Sequence, residues 1–148
     1  MAHAELPGEI PRGICCGGKI AHFSILPMSR RAALLVAGLT GLLGIALGAF
    51  GAHALKDLLL LHHSHEIWNT AVLYHLVHVP VLLWLVRGES VCAASFLCFT
   101  GGILLFSGSL YALALTDIHW LGAITPLGGL LLMVGWLLIA HDAVCTES

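Results

Sequence analysis

Residues 91–115 have the sequence VCAASFLCFTGGILLFSGSLYALAL, without a single Asp, Glu, Lys or Arg. An α-helix needs about 20 apolar residues to cross the ~30 Å hydrocarbon core of a bilayer, so this stretch is long enough to span a membrane. Residues 32–52, 67–86 and 120–140 are similarly apolar and equally free of these charged residues. The sequence therefore predicts an all-α integral membrane bundle of four transmembrane helices, and its short connections predict antiparallel neighbours.

The composition supports the same fold class. The 148 residues are 59% hydrophobic and 9% charged, whereas charged residues make up about 25% of an ordinary soluble domain. The formal net charge of −2 provides no basic surface for nucleic acid, so we expect no nucleic-acid partner. The sequence predicts the lipid bilayer as a partner, and it does not identify a protein partner.

Basic residues predict the orientation and the domain limits. Five of the six, Arg12, Lys19, Arg30, Arg31 and Arg87, fall on the side of the membrane that holds both termini, and only Lys56 falls on the other. By the positive-inside rule, both termini are expected in the cytoplasm. We expect a membrane domain over residues 29–142, with a short tail at 143–148. Residues 1–28 are expected to be a disordered leader or a misassigned start, with translation beginning at Met28 after the first 27 residues.

The first span carries a stripe of small residues at helical spacing, within which Gly44 and Gly48 form a Gly-x-x-x-Gly pair. Small residues let two helices approach closely in a membrane. Two interpretations follow, a homodimer through Gly44 and Gly48 or close packing inside one bundle.

Motifs for common enzyme chemistry are absent. The sequence contains no P-loop and no Gly-x-Ser-x-Gly, and His65-Glu66 is followed by Asn69 where a metalloprotease helix needs its second histidine. We therefore expect no enzyme activity and no catalytic, cofactor-binding or metal-binding residue. A metal site at the outer surface is the alternative, built from histidines at the end of the first span and in the loop that follows it; these are His53, His62, His63 and His65.

Polar side chains converge in the predicted outer halves of the spans. His75 and His78 are three residues apart, hence on one face of a helix, and ionisable groups inside a membrane suggest function. The candidate polar pocket comprises His53, Trp68, Asn69, Thr70, Tyr74, His75, His78, Ser107, Ser109, Tyr111 and Thr125. These residues have two possible interpretations. If they form a hydrogen-bonded core between the helices, we expect a structural or accessory protein. If they line an outward-open pocket, we expect a dimeric protein for permeation or transport of small molecules or ions.

Four motifs resemble the membrane protein family called domain of unknown function 423. They are GAFGAH at 48–53, WNTA at 68–71 with Tyr74, His75 and His78, FSGSLY at 106–111, and TPLGG at 125–129 with Trp136. The resemblance runs from Ser29 to Ala140 and implies a four-helix protein of the bacterial inner membrane, or of a mitochondrial or other organelle membrane in a eukaryote. It implies no established activity, so no catalytic residue carries over. The motif positions that it marks are His53, Trp68, Tyr74, His78, Ser107, Ser109, Tyr111, Thr125 and Pro126.

Overall fold

A computed structural model describes residues 29–87 and 93–146, which form five α-helices and one 3₁₀ turn. The helices are α1 (Arg30–Ala52), α2 (Lys56–Leu61), α3 (His65–Arg87), α4 (Ala93–Thr116) and α5 (Thr125–Thr146), with the 3₁₀ turn at His119–Ala123. By length and composition, four helical segments can cross a membrane, the fourth combining the 3₁₀ turn with α5. The all-α fold with four membrane-spanning helices is confirmed. The proposed leader at 1–28 and the last two residues of the tail lie outside the described residues.

The helix boundaries differ slightly from the hydropathy limits because capping, not hydropathy, decides them. Ser29 begins α1 by accepting a hydrogen bond from the Ala32 amide at 3.2 Å. The predicted fourth span starts at Trp120, but α5 begins at Thr125, since Pro126 fits the first turn of a helix, where no intrahelical donor is needed. At its other end α5 continues to Thr146, beyond the predicted end at residue 140.

Each long helix packs against the next one along the chain, in the order α1, α3, α4, α5, as expected for antiparallel neighbours. Within the described residues, the backbones of α1 and α5 make no close contact, and neither do those of α3 and α5. We call the end of the bundle with α2 and the 3₁₀ turn the loop end. The opposite end, with the start of α1 and the end of α3, is the terminal end.

The glycine stripe of α1 faces α3. A methyl group added at Gly44 would lie 2.7 Å from Leu76 Cδ2, and one added at Gly48 would lie 3.4 Å from Val72 Cγ1. The two glycines predicted as a possible dimer seam therefore let α1 approach α3 of the same chain. This is the second of the two interpretations drawn from the Gly-x-x-x-Gly pair.

Helices α4 and α5 approach even more closely. A methyl group on Gly128 would overlap the backbone of Phe106, and one on Gly102 would lie 2.6 Å from Leu132 Cδ2. Because backbone atoms cannot rotate away, the contact at Gly128 sets the separation of these helices.

Two apolar clusters fill the bundle, one near each end. The cluster at the terminal end includes Leu82, Phe99 and Leu132, and the cluster at the loop end includes Leu59 and Trp68. Buried polar side chains occupy the intervening turns of α3 and α4, namely His75, His78, Ser107 and Ser109. We call these four residues the polar layer.

Candidate functional site

His75 lies at the centre of the polar layer and connects three helices. Its Nε2 is 3.0 Å from the carbonyl oxygen of Thr40 in α1, and its Nδ1 is 3.3 Å from the hydroxyl of Tyr111 in α4. A carbonyl only accepts, so in the neutral ring Nε2 carries the proton and Nδ1 accepts from the tyrosine. Both nitrogens of His75 are thus engaged.

Gly44 makes the bond from His75 to α1 possible. A methyl group at this position would lie 3.3 Å from Cδ2 and 3.4 Å from Nε2 of His75, tighter than most real contacts. Thr40 is four residues before Gly44, so its carbonyl oxygen is the helical acceptor for the Gly44 amide. The glycine exposes the second lone pair of that carbonyl to a donor from α3.

The same arrangement recurs seven residues away. The indole Nε1 of Trp68 donates to the carbonyl oxygen of Leu47 at 3.1 Å, and Gly51, four residues after Leu47, has no side chain where the indole passes. Trp68 is seven residues before His75 in α3, and Gly51 is seven after Gly44 in the antiparallel α1. Gly44 and Gly51, seven residues apart in α1, therefore leave room for two N–H donors of α3, also seven residues apart, to reach carbonyl oxygens of α1.

Tyr111 joins these two donors from the side of α4. Its ring packs on Trp68 with the centroids 4.7 Å apart, while its hydroxyl reaches His75. The three side chains, Trp68, His75 and Tyr111, are the bridging triad. All three are buried, with Tyr111 the most accessible at 9%. The triad ties α1, α3 and α4 together through directed bonds.

His78 makes a different set of contacts. Its Nδ1 bonds the Tyr74 carbonyl at 2.6 Å, within its own helix. Its ring packs on Phe99, with centroids 5.7 Å apart, and near Trp136 at 6.3 Å. Among the described residues, it packs against other helices but forms no hydrogen bond with them.

Ser109 and Thr125 link the end of α4 to the start of α5. Their hydroxyl oxygens are 2.8 Å apart, and Ser109 also bonds the Phe106 carbonyl at 3.0 Å. Because the single proton of Ser109 goes to the carbonyl, Thr125 is the donor of the pair.

Ser107 is the exception in the polar layer. It is 1% exposed, and its Oγ has no hydrogen-bond partner among the described residues. Buried hydroxyls are normally paired, so this one carries an uncompensated desolvation cost.

Four of the eleven predicted pocket residues do not reach the interior. His53, Asn69, Thr70 and Tyr74 are exposed. Asn69 bonds His65 Nδ1 at 3.2 Å, and Thr70 bonds the Glu66 carbonyl at 2.9 Å. The remaining seven lie between the helices. Five of them form two separate groups, the packed and bonded Trp68, His75 and Tyr111 and the bonded pair Ser109 and Thr125, while His78 bonds within its own helix and Ser107 has no partner among the described residues.

The sequence analysis missed Ser64, which is 3% exposed. Its hydroxyl donates to the Ala114 carbonyl at 2.8 Å, and His62 Nδ1 is 3.3 Å from the same oxygen. Carbonyls in the last turn of a helix lack intrahelical donors, so these two residues cap α4. Across the described ranges, no group of three or more His, Cys, Asp or Glu could hold a metal ion.

Comparison with known proteins places the chain in a family. Residues 47–129 match the family described as "Protein of unknown function (DUF423)". The chain belongs to this DUF423 family. The UPF0382 membrane protein YwdK of Bacillus subtilis is 42% identical over 118 residues, covering 75% of this chain and 94% of the relative. A UPF0382 membrane protein of Haemophilus influenzae is 36% identical over 119 residues, with coverages of 78% and 95%.

The relatives extend to a eukaryote. A UPF0382 membrane protein of the yeast Schizosaccharomyces pombe is 39% identical over 110 residues, covering 68% of this chain and 92% of the relative. No solved structure matches. The DUF423 match contains the bridging triad and the Ser109–Thr125 pair. This DUF423 chain is a multi-pass membrane protein of unknown biochemical activity, and the resemblance noted from its motifs is confirmed.

Proposed function

We propose that this DUF423 protein is a non-enzymatic structural or accessory protein, whose polar layer holds the helices in a fixed arrangement. The engagement of both His75 nitrogens is the observation that carries the proposal. A ring bonded in this way must break a contact with α1 or α4 before it can bind a metal or accept a proton from a substrate. Directed bonds of this kind specify which helix faces meet, where apolar packing alone is less selective.

A double-mutant cycle on His75→Leu and Tyr111→Phe tests this proposal. Interhelical hydrogen bonds in membranes average about 0.6 kcal/mol in such cycles and reach about 1.7 kcal/mol. We expect a coupling energy in that range, measured by reversible unfolding of the purified protein in mixed micelles. His53→Leu changes an exposed histidine and is the matched control, for which we expect little change. Unchanged stability in both single variants, with loss of a cellular phenotype, would contradict the structural role.

A dimeric protein for small-molecule or ion permeation is the second candidate. Ser107 favours it, because a buried hydroxyl without a protein partner is what a polar path through the bundle would use. A dimer through Gly44 and Gly48 would have to displace α3, against which both glycines pack. Flux of ions or glycerol into proteoliposomes, compared between the wild type and Ser107→Ala, tests this function, and equal flux counts against a path past Ser107.

The charges support a terminal end in the cytoplasm, across the inner membrane if the source is bacterial. Among the described residues, the terminal end holds Arg30, Arg31 and Arg87 with one aspartate, while the loop end holds Lys56 with three carboxylates. This asymmetry agrees with the positive-inside rule. Alkaline phosphatase fused after residue 148 should be inactive in a bacterial host, and an active fusion would reverse the orientation.

A further inference from the structure

An apolar groove runs between α3 and α5 near the terminal end. It has a volume of about 400 Å³ and is lined by Pro80, Val81, Trp84, Trp136 and Ile139. The volume falls in the range of about 300–1,000 Å³ that is typical of ligand sites. The groove exists because the two backbones make no close contact here, whereas α5 packs tightly along α4.

A basic residue follows the groove residues along α3. Pro80, Trp84 and Arg87 are related by steps of four and three residues, so they lie on one face of α3. Arg87 is exposed and ends the helix, about 10 Å along the axis from Pro80. α3 is one of the candidate spans and ends at Arg87, so the guanidinium lies nearer the end of this span than the apolar walls do.

We propose that this groove is a binding site for an anionic glycerophospholipid, with one acyl chain between Trp84 and Trp136 and the phosphate on Arg87. Two observations favour a lipid over a protein helix. The guanidinium of Arg87, on the same face of α3 as the groove residues Pro80 and Trp84, presents paired donors that match phosphate geometry. The walls contribute only apolar lining, which suits a hydrocarbon chain and provides no hydrogen bond that would select a peptide.

Native mass spectrometry of the full-length protein tests the site, with phosphatidylglycerol and phosphatidylcholine added in equal amounts. We expect one phosphatidylglycerol to be retained in preference to phosphatidylcholine. Arg87→Gln should weaken this binding about fivefold, which corresponds to about 1 kcal/mol for the contact between one basic group and the bound anionic headgroup. Trp84→Ala should weaken retention of both lipids, since it removes one wall of the groove.

Matched controls come from the same chain. Arg30→Gln removes another exposed arginine at the terminal end, and Trp120→Ala removes an indole that is 66% exposed, against 62% for Trp84. Both controls should bind phosphatidylglycerol like the wild type. Because Arg87 and Trp84 are exposed, their variants should elute from gel filtration as the wild type does. Equal losses in Arg87→Gln and Arg30→Gln, or equal retention of both lipids by the wild type, would overturn the site.

Discussion

Replacement of Gly51 by alanine should destabilise the bundle through Trp68. The added methyl group would overlap the indole nitrogen, so the indole has to move. Trp68 is 1% exposed, so neighbouring residues enclose it and the indole cannot move without displacing them. Its displacement would break the 3.1 Å bond to the Leu47 carbonyl and disturb the ring contact with Tyr111.

The expected magnitude follows from these contacts. Overpacking costs about 1–3 kcal/mol, the lost hydrogen bond about 0.6 kcal/mol and the disturbed ring pair about 0.5–1.5 kcal/mol. In the opposite direction, alanine stabilises the helix by about 1 kcal/mol relative to glycine, which is the poorer helix former. These contributions are not additive, and we expect a net loss of about 2 kcal/mol in the free energy of unfolding.

Reversible unfolding in mixed micelles, followed by tryptophan fluorescence and circular dichroism, measures this change. Gly38→Ala is the matched control, since a methyl group there meets nothing within 4 Å. It should be neutral or stabilising by up to about 1 kcal/mol. If Gly51→Ala is as stable as Gly38→Ala, α1 does not pack on Trp68 as described, and the reasoning fails. Restored stability in Gly51→Ala combined with Trp68→Phe would identify the indole as the source of the clash.

Three further predictions use the same unfolding measurement. Gly128→Ala should cost about 3 kcal/mol because its methyl group meets the backbone of α4, whereas Gly108→Ala, with nothing within 4 Å, should be neutral or slightly stabilising, as for Gly38→Ala. Ser107→Ala should raise stability by about 1 kcal/mol, since it removes an unpaired buried hydroxyl, and a decrease would show that this hydroxyl has a partner. Thr125→Val should cost about 0.6–1.7 kcal/mol, and an equal loss in a Ser109→Ala background would mean that the two hydroxyls do not interact.

The four spans could be predicted because hydropathy and length are local properties of the chain. The residues at which the helices begin and end were harder to predict. An N-cap such as Ser29 or a proline such as Pro126 shifts a helix start by several residues without changing the hydropathy. The polar residues could also be located, and His75, Tyr111 and the Ser109–Thr125 pair do lie between the helices.

Their pairing could not be predicted, because a side chain in a helix can face lipid or a neighbour at the same depth. His75 and His78 look equivalent in sequence, yet only His75 bonds other helices. In the structure, the ring of Tyr74 lies 6.2 Å from that of His78, and the ring of Tyr111 lies 6.1 Å from that of His75. However, Tyr111 is buried, whereas Tyr74 is 41% exposed. The role of Ser64 was not predicted, because nothing in the sequence around a loop serine shows that it will cap a distant helix.

The sequence alone determined that the chain is an all-α membrane protein with four spans. Its four apolar runs have the length of helical spans, and a helix pairs its own backbone groups in hydrocarbon, where unpaired backbone and charges are costly. It also determined where small residues allow close approach. Only the tertiary structure decided that Gly44 and Gly51 face α3 and admit His75 and Trp68 to carbonyls of α1. The rotation of each helix about its axis depends on complementary packing along its whole length, and no local pattern contains that information.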